Sequence, residues 1–332
     1  MTMRPIRIFA MLITALALAL TSACGSSEAK SDTDSGDLKN FKVLVSVANS
    51  FEFLPAELGV KLGVWEKRGL DIENVYVSGG QWPTTLASGT GEVGLAGGQV
   101  GNIAKGLEAK TIAPIGFDFK MMVLVTGKKS GVESVEDLKG KVIGITSPGS
   151  VTDNLARRLI DMQGWKSSEL KIAAVGGYAE QMAALESGAT NAFIWTAEAG
   201  FQLEETGDGS ILMNFGEAVP NGVFEAMFAT DKAIADRPDD VQAYVDGWFE
   251  VIKYMKENKD ATVKFMADKF KLTESVAAST YDYDIDNLST DGVFPPERLK
   301  GMAQYDVDSG RLDKIPPTAD FYDSQFTPKG VK

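Results

Sequence analysis

Residues 77–98 read VSGGQWPTTLASGTGEVGLAGG, and residues 175–196 read VGGYAEQMAALESGATNAFIWT. The second stretch echoes the first. Gly79-Gly80 matches Gly176-Gly177, and Leu86-Ala87-Ser88-Gly89 matches Leu185-Glu186-Ser187-Gly188 with one residue of slip. Each copy predicts a strand end, a Gly pair, a short helix of about ten residues, a Ser-Gly stop and a second apolar strand. Glycine suits both places, because it turns with positive φ and lets backbone approach a ligand closely. Two such units about a hundred residues apart predict two similar lobes of ordinary domain size.

Working outward, residues 41–47 alternate and are β-branched, which predicts the first strand. Residues 48–54, ANSFEFL, form a loop with two aromatics and a carboxylate, and Pro55 opens a helix. Residues 70–77 and 112–117 predict further strands. Alternation of strands with short helices argues an α/β fold with mainly parallel, helix-covered sheets. Beyond Asp231, Val241, Tyr244, Val245, Trp248, Ile252 and Met255 recur every three or four residues, the stripe of a helix packed on a core. Residues 281–285, YDYDI, alternate Tyr and Asp and read as a solvated segment.

Composition narrows the chemistry. The 332 residues contain no histidine and one cysteine, Cys24, with a formal net charge of −13. That set excludes histidine triads, histidine-ligated metals, intramolecular disulfides and thiolate zinc sites. An acidic balance argues against nucleic acid as a partner. A body so poor in catalytic side chains is expected to bind rather than react, without cofactor or metal.

The first 23 residues follow signal-peptide grammar: Arg4 and Arg7, an apolar run over residues 8–20, then Thr21-Ser22-Ala23-Cys24-Gly25. The run is shorter than the roughly 20 residues of a membrane-spanning helix. Cys24, where the small residues end, resembles a bacterial lipobox, although Thr21 stands where leucine is usual. The resemblance implies cleavage before Cys24 and lipidation of its thiol. Residues 24–39 are small and polar and predict a flexible tether to a lipid-anchored body on the outer face of the cytoplasmic membrane.

VEDLKGKVIG with the Gly-Ser turn after it (residues 135–150) resembles the entry to the second lobe of periplasmic-binding proteins, and PAELGVKLGVWEKRGLDI (residues 55–72) and ALESGATNAFIW (residues 184–195) carry a narrower likeness. These two resemble the nitrate/sulfonate/taurine/thiamine-precursor substrate-binding proteins of ABC importers. The resemblance implies a two-lobed periplasmic-binding-protein-like fold with two hinge crossings. Lobe 1 would comprise residues 40–125 and 223–332, and lobe 2 residues 126–222. It also implies a small-molecule solute and an ABC permease with its ATPase as partners.

In such folds ligands sit beyond the carboxyl ends of strands, in the crevice between lobes. That rule nominates Phe51, Glu52, Gln81, Trp82, Gln99 and Asp118 from lobe 1, and Ser147, Ser150, Thr152, Tyr178, Trp195 and Glu198 from lobe 2. Ser150 with Asp153 resembles a capping box, whose free N–H groups attract anions. Arg157 and Arg158 lie about 10 Å along that helix and are expected to face solvent. Aromatics and carboxylates dominate the candidate loops, favouring an aromatic, heterocyclic or amine-bearing solute. Trp195-Thr196-Ala197 departs from the Trp-acid-Pro pattern of the sulfonate binders. Alternatives are an aliphatic sulfonate, taurine or nitrate binder, a pyrimidine-synthase-like enzyme using Asp118 and Glu198, or a sensor lipoprotein.

Overall fold

A computed structural model describes residues 38–77 and 80–328. The expected signal peptide, Cys24 and nearly all of the expected tether lie outside the described residues. Among the described residues, ten strands form two five-stranded sheets. The first contains β1 (Lys39–Val45), β2 (Leu70–Tyr76), β3 (Val93–Ala96), β4 (Ala109–Gly116) and β10 (Glu225–Thr230), in the order β2-β1-β3-β10-β4. The second contains β5 (Met122–Gly127), β6 (Val142–Ile145), β7 (Lys171–Ala174), β8 (Ala192–Thr196) and β9 (Gly209–Asn214), in the order β7-β6-β8-β5-β9. The two orders correspond strand for strand, with β1, β2 and β3 in the places of β6, β7 and β8. The duplicated stretch is therefore a repeat of topology: each copy joins an edge strand to the strand on the far side of the first.

In each sheet one strand opposes the other four. β10 is antiparallel to both β3 and β4, and β5 to both β8 and β9, while the remaining pairings are parallel. Both odd strands are those that arrive from the other lobe. The chain leaves β4 and β9 at their carboxyl ends, crosses through residues 117–121 and 215–224, and enters the facing sheet from that same edge. A strand entering there must run against its neighbours. The carboxyl ends of four strands from each sheet consequently face the crossing region, where parallel-sheet proteins place ligands.

The core of the first lobe is aromatic. Trp65 stacks on Tyr244 at 5.1 Å, and Tyr244 on Phe41 at 5.6 Å. Trp65 Nε1 also donates to the Tyr244 carbonyl at 3.0 Å. Side chains at Gly59 or Gly247 would strike the Trp65 ring, each at 2.4 Å, so both glycines are small because the indole lies against them. The apolar stripe from Val241 to Met255 lies on the helix Pro238–Glu257, and all six of its residues are buried.

Trp82 belongs to a core as well. It is fully buried, packs edge-on against Phe228 at 5.6 Å and lies over Gly94, where a Cβ would come within 2.1 Å of the ring. Its helix, Trp82–Ala87, is shorter than its ten-residue counterpart Tyr178–Ser187. Among the described residues, no helix is long and apolar enough to cross a membrane.

Candidate functional site

The two lobes meet in a chain of side-chain oxygens. Ser50, in the loop after β1, donates its hydroxyl to Glu52 Oε2 at 2.5 Å. Ser50 Oγ also lies 3.2 Å from Thr196 Oγ1, at the end of β8 in the other lobe. Thr196 in turn donates to Glu198 Oε1 at 2.5 Å, and Trp195 Nε1 donates to the same oxygen at 3.1 Å. Thr196 and Glu198 are held by geometry: the strand ends at Thr196 and the helix Ala197–Thr206 begins, placing Glu198 in its first turn.

This chain has three oxygen–oxygen links and two hydroxyl protons. If Glu52 and Glu198 were both ionised, Ser50 and Thr196 would each give their proton to a carboxylate and leave the middle link without one. One more proton, on either carboxyl, completes the set. Burial supplies it. Glu52 is pushed up to about 8, by burial first and by the Glu198 charge in addition. Burial pushes Glu198 up to about 7 against the bonds from Thr196 and Trp195.

Two further acids join them. Glu225, the first residue of β10, is buried, and a Cβ on Gly97 would lie 3.4 Å from its Oε1. Asp284 ends the helix Glu274–Asp284 and is also fully buried. Burial raises both well above the ordinary range, with the charge of Glu52 acting on each and that of Glu198 on Asp284. Glu198 Oε2 and Glu225 Oε2 have no hydrogen-bond partner, and the Asp284 oxygens make no well-formed hydrogen bond, with the Asn287 amide acting weakly against the effect of burial.

The sequence treated residues 281–285 as solvated, and the structure corrects this. They are helical, so period 3.6 rather than 2 governs: Tyr281 and Asp284 share the inner face while Asp282 faces water. Tyr281 meets Phe51 edge-on at 6.2 Å, which ties this helix to the Glu52 turn. Glu225 had one legible signal, a lone acid inside the apolar run GVFEAMFAT.

Of the nominated residues, the structure gathers Phe51, Glu52, Trp195 and Glu198 at this point. Tyr178 stands beside them, its ring 5.6 Å from Trp195 and its hydroxyl bonded to Gln202. The others lie apart. Trp82 is in the first core, and Gln81 is exposed. Gln99 spans its own loop, donating to the Gly97 carbonyl at 2.6 Å and accepting from Asn102 at 2.8 Å. Asp118 lies in the first crossing and accepts from the Lys120 N–H at 2.9 Å.

Ser150 and Thr152 serve the entry of the helix Val151–Met162. Ser150 accepts from the Asp153 N–H at 3.3 Å, and Thr152 Oγ1 lies 2.9 Å from the hydroxyls of both Ser150 and Thr146. Ser147, in the same loop, has a free Oγ and faces lobe 1, 3.1 Å from where a Cβ on Gly80 would lie. Arg157 pairs with Asp153 on its own helix. Arg158, expected in solvent, instead crosses to Asp308 at 3.4 Å, because the helix face carrying Val151 and Arg158 meets lobe 1.

Two lobes, two crossings and a buried polar seam between them define a periplasmic-binding-protein-like fold. The chain belongs to the NMT1/THI5-like family, whose model matches residues 50–262. Among solved structures it is similar to a protein from Bordetella bronchiseptica RB50 (21% identity, 86% of this chain and 95% of that one, TM-score 0.76). It is also similar to the alkanesulfonate-binding protein SsuA from Xanthomonas axonopodis bound to MOPS (18%, 85% and 96%, 0.70). The desulfurization enzyme DSZB shares the fold (13%, 86% and 97%, 0.59), so the architecture also hosts catalysis. No curated protein matches the chain.

Proposed function

We propose that this chain is the extracytoplasmic solute-binding lipoprotein of an ABC importer. It captures a small organic solute of aromatic, heterocyclic or amine-bearing character between its lobes and delivers it to the permease. The observation that carries the reading is the seam from Glu52 through Ser50 and Thr196 to Glu198. It joins the lobes where the strand ends converge, so a ligand seated there would touch both lobes and favour the closed form. The family and the binding proteins that share the fold support it.

A sulfonate or other anion is the second reading, favoured by the named neighbour and by the helix entry beside Ser147. The buried acids stand against it, since an anion would be repelled by each ionised carboxylate. An enzyme on this fold would show turnover of whatever binds. For the anchor, exchange of Cys24 for alanine is expected to release the protein from membranes.

The direct test is mass spectrometry of solute co-purifying with natively prepared protein, followed by small-angle scattering with and without it. Compaction on binding is expected. A tightly bound solute that leaves the scattering profile unchanged would refute closure around a ligand.

A further inference from the structure

We propose that the ligand carries a positive charge, as an amine, an amidine or a protonated amino-heterocycle, and that Glu225 and Asp284 join Glu52 and Glu198 in holding that charge. This rests on the reading of the cleft as a solute site. The four acids come from four separate elements: the turn after β1, the helix after β8, the start of β10 and the end of the helix Glu274–Asp284. All four are at least nine-tenths buried.

Their oxygens divide into two sets. Glu52 Oε2 and Glu198 Oε1 are engaged by Ser50, Thr196 and Trp195. Glu198 Oε2, Glu225 Oε2 and both Asp284 oxygens are buried without a well-formed hydrogen bond, the Asn287 amide being the donor that acts on Asp284. A carboxylate accepts only, and leaving it unpaired in apolar surroundings is costly. An organic cation with two or three N–H groups supplies donors and countercharge together. No three of the described acids are grouped so as to share one metal ion, so the missing donors would be spread over several atoms, as the N–H groups of an organic cation are.

Among the described residues, the cations nearest in effect are engaged elsewhere. Lys120 is the one whose charge acts on Asp284, and its Nζ stands over the Tyr283 ring at 5.8 Å. Arg311 pairs with Asp306, and Arg158 with Asp308. Aromatic side chains complete the wall: Trp195 against Tyr178, and Phe201 against Tyr283 at 5.7 Å. Ring faces of this kind favour a cation over an anion.

The seam then has two ways to satisfy its charge. Without ligand it keeps extra protons; with ligand the cation displaces them. Binding therefore releases protons, and affinity rises with pH until the ligand's own amine is deprotonated. The other titratable groups facing the cluster are Lys120, Tyr178, Tyr283 and, beyond Tyr283, Asp118.

The test is a thermal-shift screen of the full chain at pH 8 against several hundred metabolites sorted into cations, zwitterions, neutral compounds and anions. Hits are expected among the cations. Calorimetry of the best hit in two buffers of different ionisation heat is expected to show proton release. Glu225→Gln and Asp284→Asn are each expected to weaken it at least tenfold while the ligand-free melting temperature holds or rises. Hits confined to anions or neutral compounds would overturn the inference and leave solute binding standing. So would a cationic hit whose affinity neither variant lowers. A screen with no hit in any class would overturn the solute-binding reading itself. The charge sorting needs no variant, so the test survives one that fails to fold.

Discussion

Ser50 of one lobe and Thr196 of the other face each other hydroxyl to hydroxyl at 3.2 Å, each with a carboxylate 2.5 Å away on its far side. The pair is the middle link of a chain one proton short when both carboxylates are ionised. Without ligand, joining these two hydroxyls therefore needs a proton on one of the two carboxyls.

Stability of the ligand-free protein should therefore fall as pH rises. Glu52 and Glu198 have folded values of about 8 and about 7 against an ordinary 4.5. Between those values the folded state holds protons that the unfolded state has lost, so stability is full below about pH 4.5. It drains away up to about pH 7 for Glu198 and about pH 8 for Glu52. Each group can contribute at most about 1.4 kcal/mol of loss per pH unit inside its window. Thermal melts from pH 5 to 8 should slope downward in the wild type and less steeply in Glu52→Gln. A flat wild-type profile contradicts this.

Thr196→Val keeps the shape and removes the hydroxyl. Losing this link should cost about 1 kcal/mol, a roughly fivefold shift of the ligand-free population toward open forms. Single-molecule energy transfer between dyes on the two lobes reads that ratio directly. An unchanged ratio would show that the seam does not hold the lobes together.

Trp82 and Trp195 should separate cleanly. Trp82→Ala empties a core site and should cost about 3–5 kcal/mol of stability, with ligand affinity intact in the protein that still folds. Trp195→Phe removes the N–H bonded to Glu198 but keeps most of the bulk, and should weaken ligand binding severalfold with a smaller loss of stability. Chemical denaturation and titration of the co-purified solute distinguish the two. The reverse pattern would move the site to lobe 1.

Gly247→Ala tests the Trp65 seat. The new methyl would meet the indole at 2.4 Å, and overpacking of this kind costs about 1–3 kcal/mol. The melting temperature should drop and the solute affinity stay. No loss of stability would mean that Trp65 moves aside freely.

Much of this molecule could be read in one dimension. The echo of residues 77–98 in residues 175–196 foretold two sheets of the same topology, because a strand-turn-helix-strand unit folds by local rules that a Gly pair and a Ser-Gly stop punctuate. The helix Pro238–Glu257 was legible for a similar reason, its stripe following the period of a single element. Glu52, Tyr178, Trp195 and Glu198 were nominated because ligands gather beyond strand ends, which is a property of topology.

What local pattern could not decide was direction and partnership. Trp82 and Trp195 both lie in the duplicated unit, one at a helix start and the other at a strand end, yet Gly94 opens a slot that takes the first indole into the core, while Glu198 holds the second at the seam. Asp284 was hidden because alternation in YDYDI suggests period 2, and only the helix it joins turns that residue inward. Glu225 and Asp284 lie 59 residues apart and far along the chain from Glu52 and Glu198. Neighbours of this kind are created by the crossings between lobes. Thus the sequence by itself determined the elements, their order and the edge where the carboxyl ends of the strands gather. The tertiary structure alone joined Glu52 to Glu198 through Ser50 and Thr196 and buried Glu225 and Asp284 within reach of their charge, because burial and charge act through space and not along the chain.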